Sequence, residues 1–228
     1  MIRNNAYRAV EKYRERFQEA RADLFCRTMQ PQAGCSILDL GGNRGQFSRR
    51  LLQRLRADIT VADILDFSAE CAAAGLRFAQ IGEQVNLPFA DREFDIVLCN
   101  SVIEHVTLPK TDCQRLNMSD GEWRERAAVA QKTFAAEIRR VARGYFVQTP
   151  HPDFPLDLHL WLPFTNWLSH RATVRLTRLT DRFWIKSGVA DWQLISPHEM
   201  TGYFPDAQLQ IEHWLGMPKS VIAFKTPL

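Results

Sequence analysis

Three groups of residues have types and spacings that could do chemistry. The first is Leu38-Asp-Leu-Gly-Gly-Asn-Arg-Gly45, where glycines follow directly on a short apolar run. Glycine lets a backbone turn sharply and approach a ligand where a Cβ would collide. Such a turn is either an ordinary strand–helix connection or the floor of a nucleotide-like cofactor site. A dinucleotide site wants G-x-G-x-x-G to seat a pyrophosphate on a helix N-terminus, and here Asn43 and Gln46 take the second and third glycine places. The second group is Asp63, closing the run Ile59 to Ala62. A carboxylate there either caps the next helix or accepts both hydroxyls of a ribose. The third is His159 with Asp157 two residues before it, inside a proline- and aromatic-rich stretch. Histidine is the commonest general base near neutral pH, and a neighbouring carboxylate can orient it. The competing reading is a hydrogen-bonded structural histidine that pins a lid. His105 is either structural, a wall of the cofactor pocket, or a catalytic group. No histidine or cysteine cluster has zinc spacing, so no metal ligands are expected.

These residues need elements to hold them. Residues 5–29 carry Val10, Tyr13, Phe17, Ala20 and Leu24 at three- and four-residue spacing, which predicts an amphipathic helix. Cys35 to Leu40 reads as a strand, the glycine turn follows, and Phe47, Leu51, Leu52 and Leu55 continue as a helix. Ile59 to Ala62 is a second strand, and Ala69 to Leu76 a short connecting segment. Phe94 to Asn100 is a nearly all-apolar strand, of the kind a parallel sheet covers on both faces. Ser119-x-x-Glu122 is a capping box opening a long helix that Gly144 is expected to end. Tyr145 to Thr149 is a further strand, 151–190 a lid or loop region, and residues 170–184 helical. Gln208 to Trp214 and Ser220 to Lys225 pair as an antiparallel hairpin across Leu-Gly-Met-Pro-Lys. Alternation of this kind predicts a single α/β domain over 1–228, Rossmann-like and doubly wound, with a mostly parallel seven-stranded sheet.

Bulk properties exclude several classes. At 228 residues there is room for one sizeable core, and a net charge of +3 favours no particular partner. The five cysteines are odd in number and form no C-x-x-C, which reads as free thiols in a reducing compartment. The first residues are charged and lack a signal-peptide core, and no run is long enough to span a membrane. A cytoplasmic protein is expected.

SILDLGGNRGQF, ITVADI, GEQVNLPFADREFDIVLCNSVIEHV and AAEIRRVARGYFVQTP together resemble the successive motifs of class I S-adenosylmethionine-dependent methyltransferases, in the branch called methyltransferase type 11. The resemblance covers about Cys35 to Pro150. It implies S-adenosylmethionine as donor, with S-adenosylhomocysteine as product. Gly41, Gly42, Asn43 and Gly45 would line the methionine portion, Asp63 and Ile64 the ribose side, and Glu83 and Gln84 the adenine. Asn100 and Ser101 would flank the amino-acid end. Asn43 stands where the family has a middle glycine, so its backbone is expected to be left-handed, which asparagine tolerates. Thr149 to Trp167 resembles a T-P-N-x-x-F-P-x-E-x-H-x-x-x-P-x-x-x-W pattern of type 11 relatives found among cell-surface carbohydrate genes. Asp157 replaces their Glu and His151 their Asn. By that resemblance the reaction is O-methylation of a saccharide, a lipid-linked sugar or another small molecule.

Arg171, Arg175, Arg178 and Arg182 fall at helical spacing beside an apolar face of Ala172, Leu176, Leu179 and Phe183. They form either a solvated stripe or a contact for a phosphate-bearing or membrane-surface acceptor. Two further readings stay open: a natural-product O- or N-methyltransferase, and a non-catalytic donor-binding or interaction domain. Nucleic acid is disfavoured, because Asn100-Ser-Val-Ile is not an N-P-P-Y type turn and the basic residues cluster in one short segment.

Overall fold

The computed structural model describes residues 2–83, 85–157, 159–181 and 189–227, with side chains from residue 15 onward. Seven strands form one sheet in the order β3-β2-β1-β4-β5-β7-β6. They are β1 (Cys35–Leu40), β2 (Ala57–Asp63), β3 (Arg77–Gln80), β4 (Phe94–Asn100), β5 (Ala142–Pro150), β6 (Gln208–Trp214) and β7 (Met217–Lys225). The helices are α1 (Ile2–Met29), α2 (Gln46–Leu52), α3 (Ser68–Ala73), α4 (Lys110–Cys113), α5 (Asp120–Val141), α6 (His170–Thr180) and α7 (Pro197–Tyr203). β1 pairs in parallel with β2 on one side and β4 on the other, in registers that set Leu40 against Ala62 and against Cys99. The expected Rossmann-like, mostly parallel sheet with an antiparallel C-terminal pair is what forms. Only Leu215 (φ 50) and Gly216 (φ 78) join β6 to β7, and two left-handed residues are a tight hairpin turn. The hairpin loop is therefore shorter than the five residues expected, and β7 starts at Met217.

The chain divides into two compact units. The first holds Met1–Cys99, Arg140–Phe146 and Phe224–Leu228; the second holds Asn100–Arg139 and Val147–Ala223. In the first, Ile37, Leu38, Val61, Ile96, Val97 and Leu98 are fully buried, as strands covered on both faces must be. Glu19 and Asp23 of α1 hold Arg50 and Arg54, one on α2 and one just past it, at 2.6 to 2.8 Å. Gly144 does not end a helix. α5 stops at Val141, and Gly144 lies inside β5, where a Cβ would come within 2.6 Å of the Lys225 carbonyl oxygen. Close backbone approach, not capping, is what requires glycine there.

In the second unit, α5 begins as the capping box predicts, with Ser119 Oγ accepting from the Glu122 backbone N–H at 3.1 Å. Trp123 is buried and stacks on His170 at 3.6 Å between ring centroids. α6 keeps Arg175 and Arg178 exposed as a stripe but buries a face other than the apolar one expected. His170, Thr173, Val174, Thr177 and Thr180 are buried, while Leu179 is 66% exposed. The buried threonines satisfy their hydroxyls on backbone carbonyls of the preceding turn, as Thr173 does on Ser169 at 3.1 Å, which lets a polar residue face inward. Arg171 and Arg178 donate to backbone carbonyls of Met118 and Gln114 at 2.6 Å. Phe183 and Arg182 lie outside the described residues.

Asp39 shows how tightly the glycine turn is built. Its carboxylate is buried and accepts from Ser48 Oγ of α2 at 2.5 Å. A Cβ on Gly42 would sit 2.5 Å from Asp39 Oδ2, so the carboxylate itself demands glycine at 42. Burial pushes the Asp39 carboxyl up to about 6, with the Ser48 hydrogen bond opposing and the Asp63 charge adding to it. The folded chain then keeps a proton that the unfolded chain releases at lower pH. This group favours folding most below its unfolded value, and that contribution is lost as pH rises toward about 6. Asp39→Asn should therefore gain stability relative to wild type between pH 4 and pH 6.5, by at most about 3 kcal/mol. Urea unfolding across that range checks it; parallel profiles for the two proteins would contradict the assignment.

Candidate functional site

The first unit brings the glycine turn and Asp63 into one hydrogen-bonded group. Asn43 has φ 53, the left-handed conformation expected of it, and Gly41 (φ 72) and Gly45 (φ 68) flank it. The Asn43 backbone N–H donates to Asp63 Oδ2 at 2.9 Å, and the Leu65 N–H donates to Oδ1 at 3.1 Å. Asn43 Oδ1 accepts from the Arg44 N–H at 2.9 Å, which steadies the left-handed residue locally. Gly45 favours glycine through its left-handed backbone, and a Cβ there would also press on the Leu76 side chain. Asp63 is 9% exposed and Ile64 beside it 36%, so a carboxylate edge and an apolar surface adjoin at the end of β2. Glu83 is exposed in the loop after β3, and Gln84 lies outside the described residues.

Asn100 closes β4, and Ser101 follows in a left-handed conformation (φ 56). In the second unit the Ser101 backbone donates to the Gln148 carbonyl at 2.9 Å, and its hydroxyl donates to Gln148 Oε1 at 3.0 Å. A non-glycine residue in a left-handed conformation is thereby held after the strand, where the chain turns into a one-turn 3-10 helix, Ile103–His105.

His159 and Asp157 meet as the spacing implied. The His159 Nδ1–H donates to Asp157 Oδ1 at 2.9 Å, and its backbone N–H donates to the same oxygen at 2.7 Å. Thr165 Oγ1 donates to Asp157 Oδ2 at 2.9 Å. Burial raises the Asp157 carboxyl, but the bonds and charge of His159 and the Thr165 hydroxyl outweigh it, and the net shift is downward. A carboxylate only accepts, so the imidazole carries its proton on Nδ1 and its lone pair on Nε2. Trp192 stacks on the ring at 4.5 Å and 12°, fixing its plane. His151 is buried, and burial holds its imidazole below the usual range; its Nδ1 accepts from the Asp153 N–H at 3.1 Å, a structural arrangement.

Four residues of this centre escaped the sequence reading. Glu104 is 0% exposed, and neither carboxylate oxygen accepts a hydrogen bond from the described residues. Leaving such a group unpaired costs several kcal/mol. Its nearest basic atom is His159 Nε2, 4.0 Å from Oε1. Asp191 accepts from His105 Nδ1 at 2.8 Å, and the Gln193 N–H donates to the Glu104 carbonyl at 2.8 Å. Asp191-Trp192-Gln193 thus supports His105, His159 and Glu104 in turn. The signal was the Ile-Glu-His turn alone; nothing in the chain marks Asp191 to Gln193. A cavity of about 160 Å³ lies in the same unit, lined by Trp192, Thr165, Asn166 and Arg124 among others. Asn166 Oδ1 is buried there without a hydrogen-bond partner among the described residues.

Comparison with known proteins agrees with this architecture. A family model described as a methyltransferase domain, of type 11, matches residues 38–117. A C-methyltransferase of ubiquinone/menaquinone biosynthesis from Roseobacter denitrificans is 31% identical over 93 residues, 36% of this chain and 36% of the relative. The match therefore spans about a third of that relative's length. Two solved structures share the fold. A SAM-dependent methyltransferase of Aquifex aeolicus has a TM-score of 0.53 at 11% identity, covering 89% of this chain and 88% of that one. The 1,6-didemethyltoxoflavin-N1-methyltransferase of Burkholderia thailandensis, with 1,6-didemethyltoxoflavin and S-adenosylhomocysteine bound, has a TM-score of 0.53 at 15% identity, covering 99% and 87%. Residues 38–117 match the model of a type 11 methyltransferase domain, and the chain that carries them has the Rossmann-like fold of the methyltransferase structures it resembles.

Proposed function

We propose that this chain transfers a methyl group from S-adenosylmethionine to a hydroxyl of a saccharide, a lipid-linked sugar or another small molecule. The observation that carries the donor half is the Asn43–Asp63 hydrogen bond, which couples the glycine turn to a carboxylate suited to ribose hydroxyls. Gly41, Gly42, Asn43 and Gly45 would lie along the methionine portion, Ile64 beside Asp63 on the ribose side, and Glu83 and Gln84 along the adenine. Asn100 and Ser101 would flank the amino and carboxyl groups.

Methyl transfer needs little from the protein beyond alignment and exclusion of water. The acceptor oxygen supplies a pair to the methyl carbon, the carbon–sulfur bond breaks with its pair on sulfur, and the hydroxyl proton must leave. His159, fixed by Asp157 and Trp192, is the residue assigned to activating that hydroxyl. Asn166 Oδ1, which has no partner among the described residues, favours a polyhydroxyl acceptor, since it can accept from a second hydroxyl. The five cysteines are free thiols, four of them buried, which supports a cytoplasmic setting.

A peripheral membrane contact is the second reading, and specific residues favour it. Phe164 and Trp167 are 58% and 60% exposed, just before α6 with its exposed Arg175 and Arg178. No described helix is long and apolar enough to cross a membrane.

Calorimetry with S-adenosylhomocysteine should show one site, and Asp63→Ala should weaken it at least about tenfold by removing the ribose contact; unaltered affinity would overturn the donor site. With donor binding unchanged, His159→Ala should lower turnover about a hundredfold or more in a donor-dependent screen of sugars, glycolipids and phenols. Full turnover would reduce His159 to a structural role. Trp167→Ser combined with Arg175→Ala should weaken sedimentation with vesicles containing anionic lipid, and equal sedimentation would remove the membrane reading.

A further inference from the structure

We propose that Glu104, His105 and His159 form a binding site for a divalent transition cation. The ligand-capable atoms of the three side chains lie within 4.8 Å of one another. They come from elements distant in the chain: Glu104 and His105 from the 3-10 turn after β4, and His159 from the loop after β5. Spacing along the chain therefore shows nothing of a ligand set, and only folding assembles it.

Three independent features point to an ion. The Glu104 carboxylate is completely buried, and neither oxygen accepts a hydrogen bond from the described residues. A protein retains a buried charge when something neutralises it. Each histidine gives its Nδ1–H to a carboxylate, His159 to Asp157 at 2.9 Å and His105 to Asp191 at 2.8 Å. Both imidazoles are therefore in the tautomer whose lone pair is on Nε2, and carboxylate-backed imidazoles are the usual outer support of metal-ligating histidines. Finally, the rings are locked in place. His159 stacks on Trp192 at 4.5 Å and meets the His105 ring edge-on at 4.9 Å.

Bond lengths of about 2.0–2.2 Å place ligand atoms around one ion roughly 3–3.5 Å apart. The Oε1–Nε2 separation of 4.0 Å would close by less than 1 Å on binding. Two imidazoles and one carboxylate suit zinc, manganese or iron(II); calcium and magnesium prefer all-oxygen sites. Three protein ligands leave coordination positions open. The role of the ion deepens the methyl-transfer reading and rests on it, while its binding does not. An acceptor hydroxyl on the ion becomes more acidic and loses its proton to water. Its oxygen pair then forms the bond to the methyl carbon, and the carbon–sulfur pair remains on sulfur. His159 then activates the hydroxyl through the ion its Nε2 holds, and the proton passes to water instead of to the imidazole.

The test uses the full chain stripped with chelator and titrated with cobalt(II), a spectroscopic stand-in for zinc, and then with zinc. Wild type is expected to bind one ion per chain, to develop visible cobalt absorption and to lose Trp192 fluorescence. Glu104→Gln and His159→Gln should each bind at least about tenfold more weakly, and Asp191→Asn about tenfold more weakly through its support of His105. Circular dichroism checks that each variant is folded, and Glu104→Gln removes only a buried charge. Replacing the exposed His198 and His213 by Ala should leave the titration unchanged. Absence of stoichiometric binding, or equal binding by the folded Glu104→Gln and His159→Gln variants, overturns the proposal, as does loss of binding in the His198/His213 variant. S-adenosylhomocysteine calorimetry on the same samples separates the two ideas. Donor binding without ion binding defeats the cation site alone; ion binding without donor binding defeats the methyl-transfer reading and leaves the site standing.

Discussion

Parallel pairing of β1 with β2 and β4 is the constraint on which the rest depends. Parallel strands end on the same edge of a sheet, so the turns after β1 and β2 emerge side by side. With Leu40 opposite Ala62, the turn after β1 begins level with Asp63, and the Asn43 N–H reaches that carboxylate. The residues of the turn are then dictated in sequence. Asp39 is buried at the strand end, Gly42 must be glycine to clear it, and Gly45, at φ 68 beside the Leu76 side chain, favours glycine. The asparagine is tolerated because its own side chain bonds the next N–H.

Electrostatics separate the two carboxyl-rich regions of the chain. Asp39 is held up by burial with one hydroxyl for company, whereas Asp157 is drawn down by an imidazole and a hydroxyl despite equal burial. Burial alone therefore does not decide how a carboxyl behaves; the donors that reach it do. Glu104 is the third case, buried without donors among the described residues. That imbalance is what gives the His105–His159 centre its chemical interest.

Local patterns in the chain were legible wherever short-range physics decides the outcome. The apolar strands β1 and β4 appear with the predicted bounds, and the capping box at Ser119 opens α5 one residue later. Reading failed where a distant group decides. Gly144 resembled a helix stop because its partner, the Lys225 carbonyl, is 81 residues away along the chain. The buried face of α6 was missed because threonines can hide their hydroxyls on the preceding turn, and hydropathy does not register this. β3 is short and half polar, so it carries no period-two signal. At the candidate site, His159 and Asp157 were visible because they are neighbours in sequence. Asp191 was not, since 86 residues separate it from the His105 ring it holds.

Asp191, Trp192 and Gln193 are consecutive, and each steadies a different member of the same centre through a carboxylate, an indole face and a backbone N–H. Three attachments on three adjacent residues behave like a key with fixed teeth. Substituting one tooth disturbs one attachment, whereas inserting or deleting a single residue ahead of them shifts all three out of phase together. The length of this segment is consequently under stricter control than its composition. Variation among relatives should be read there first in the gaps of an alignment, before its letters.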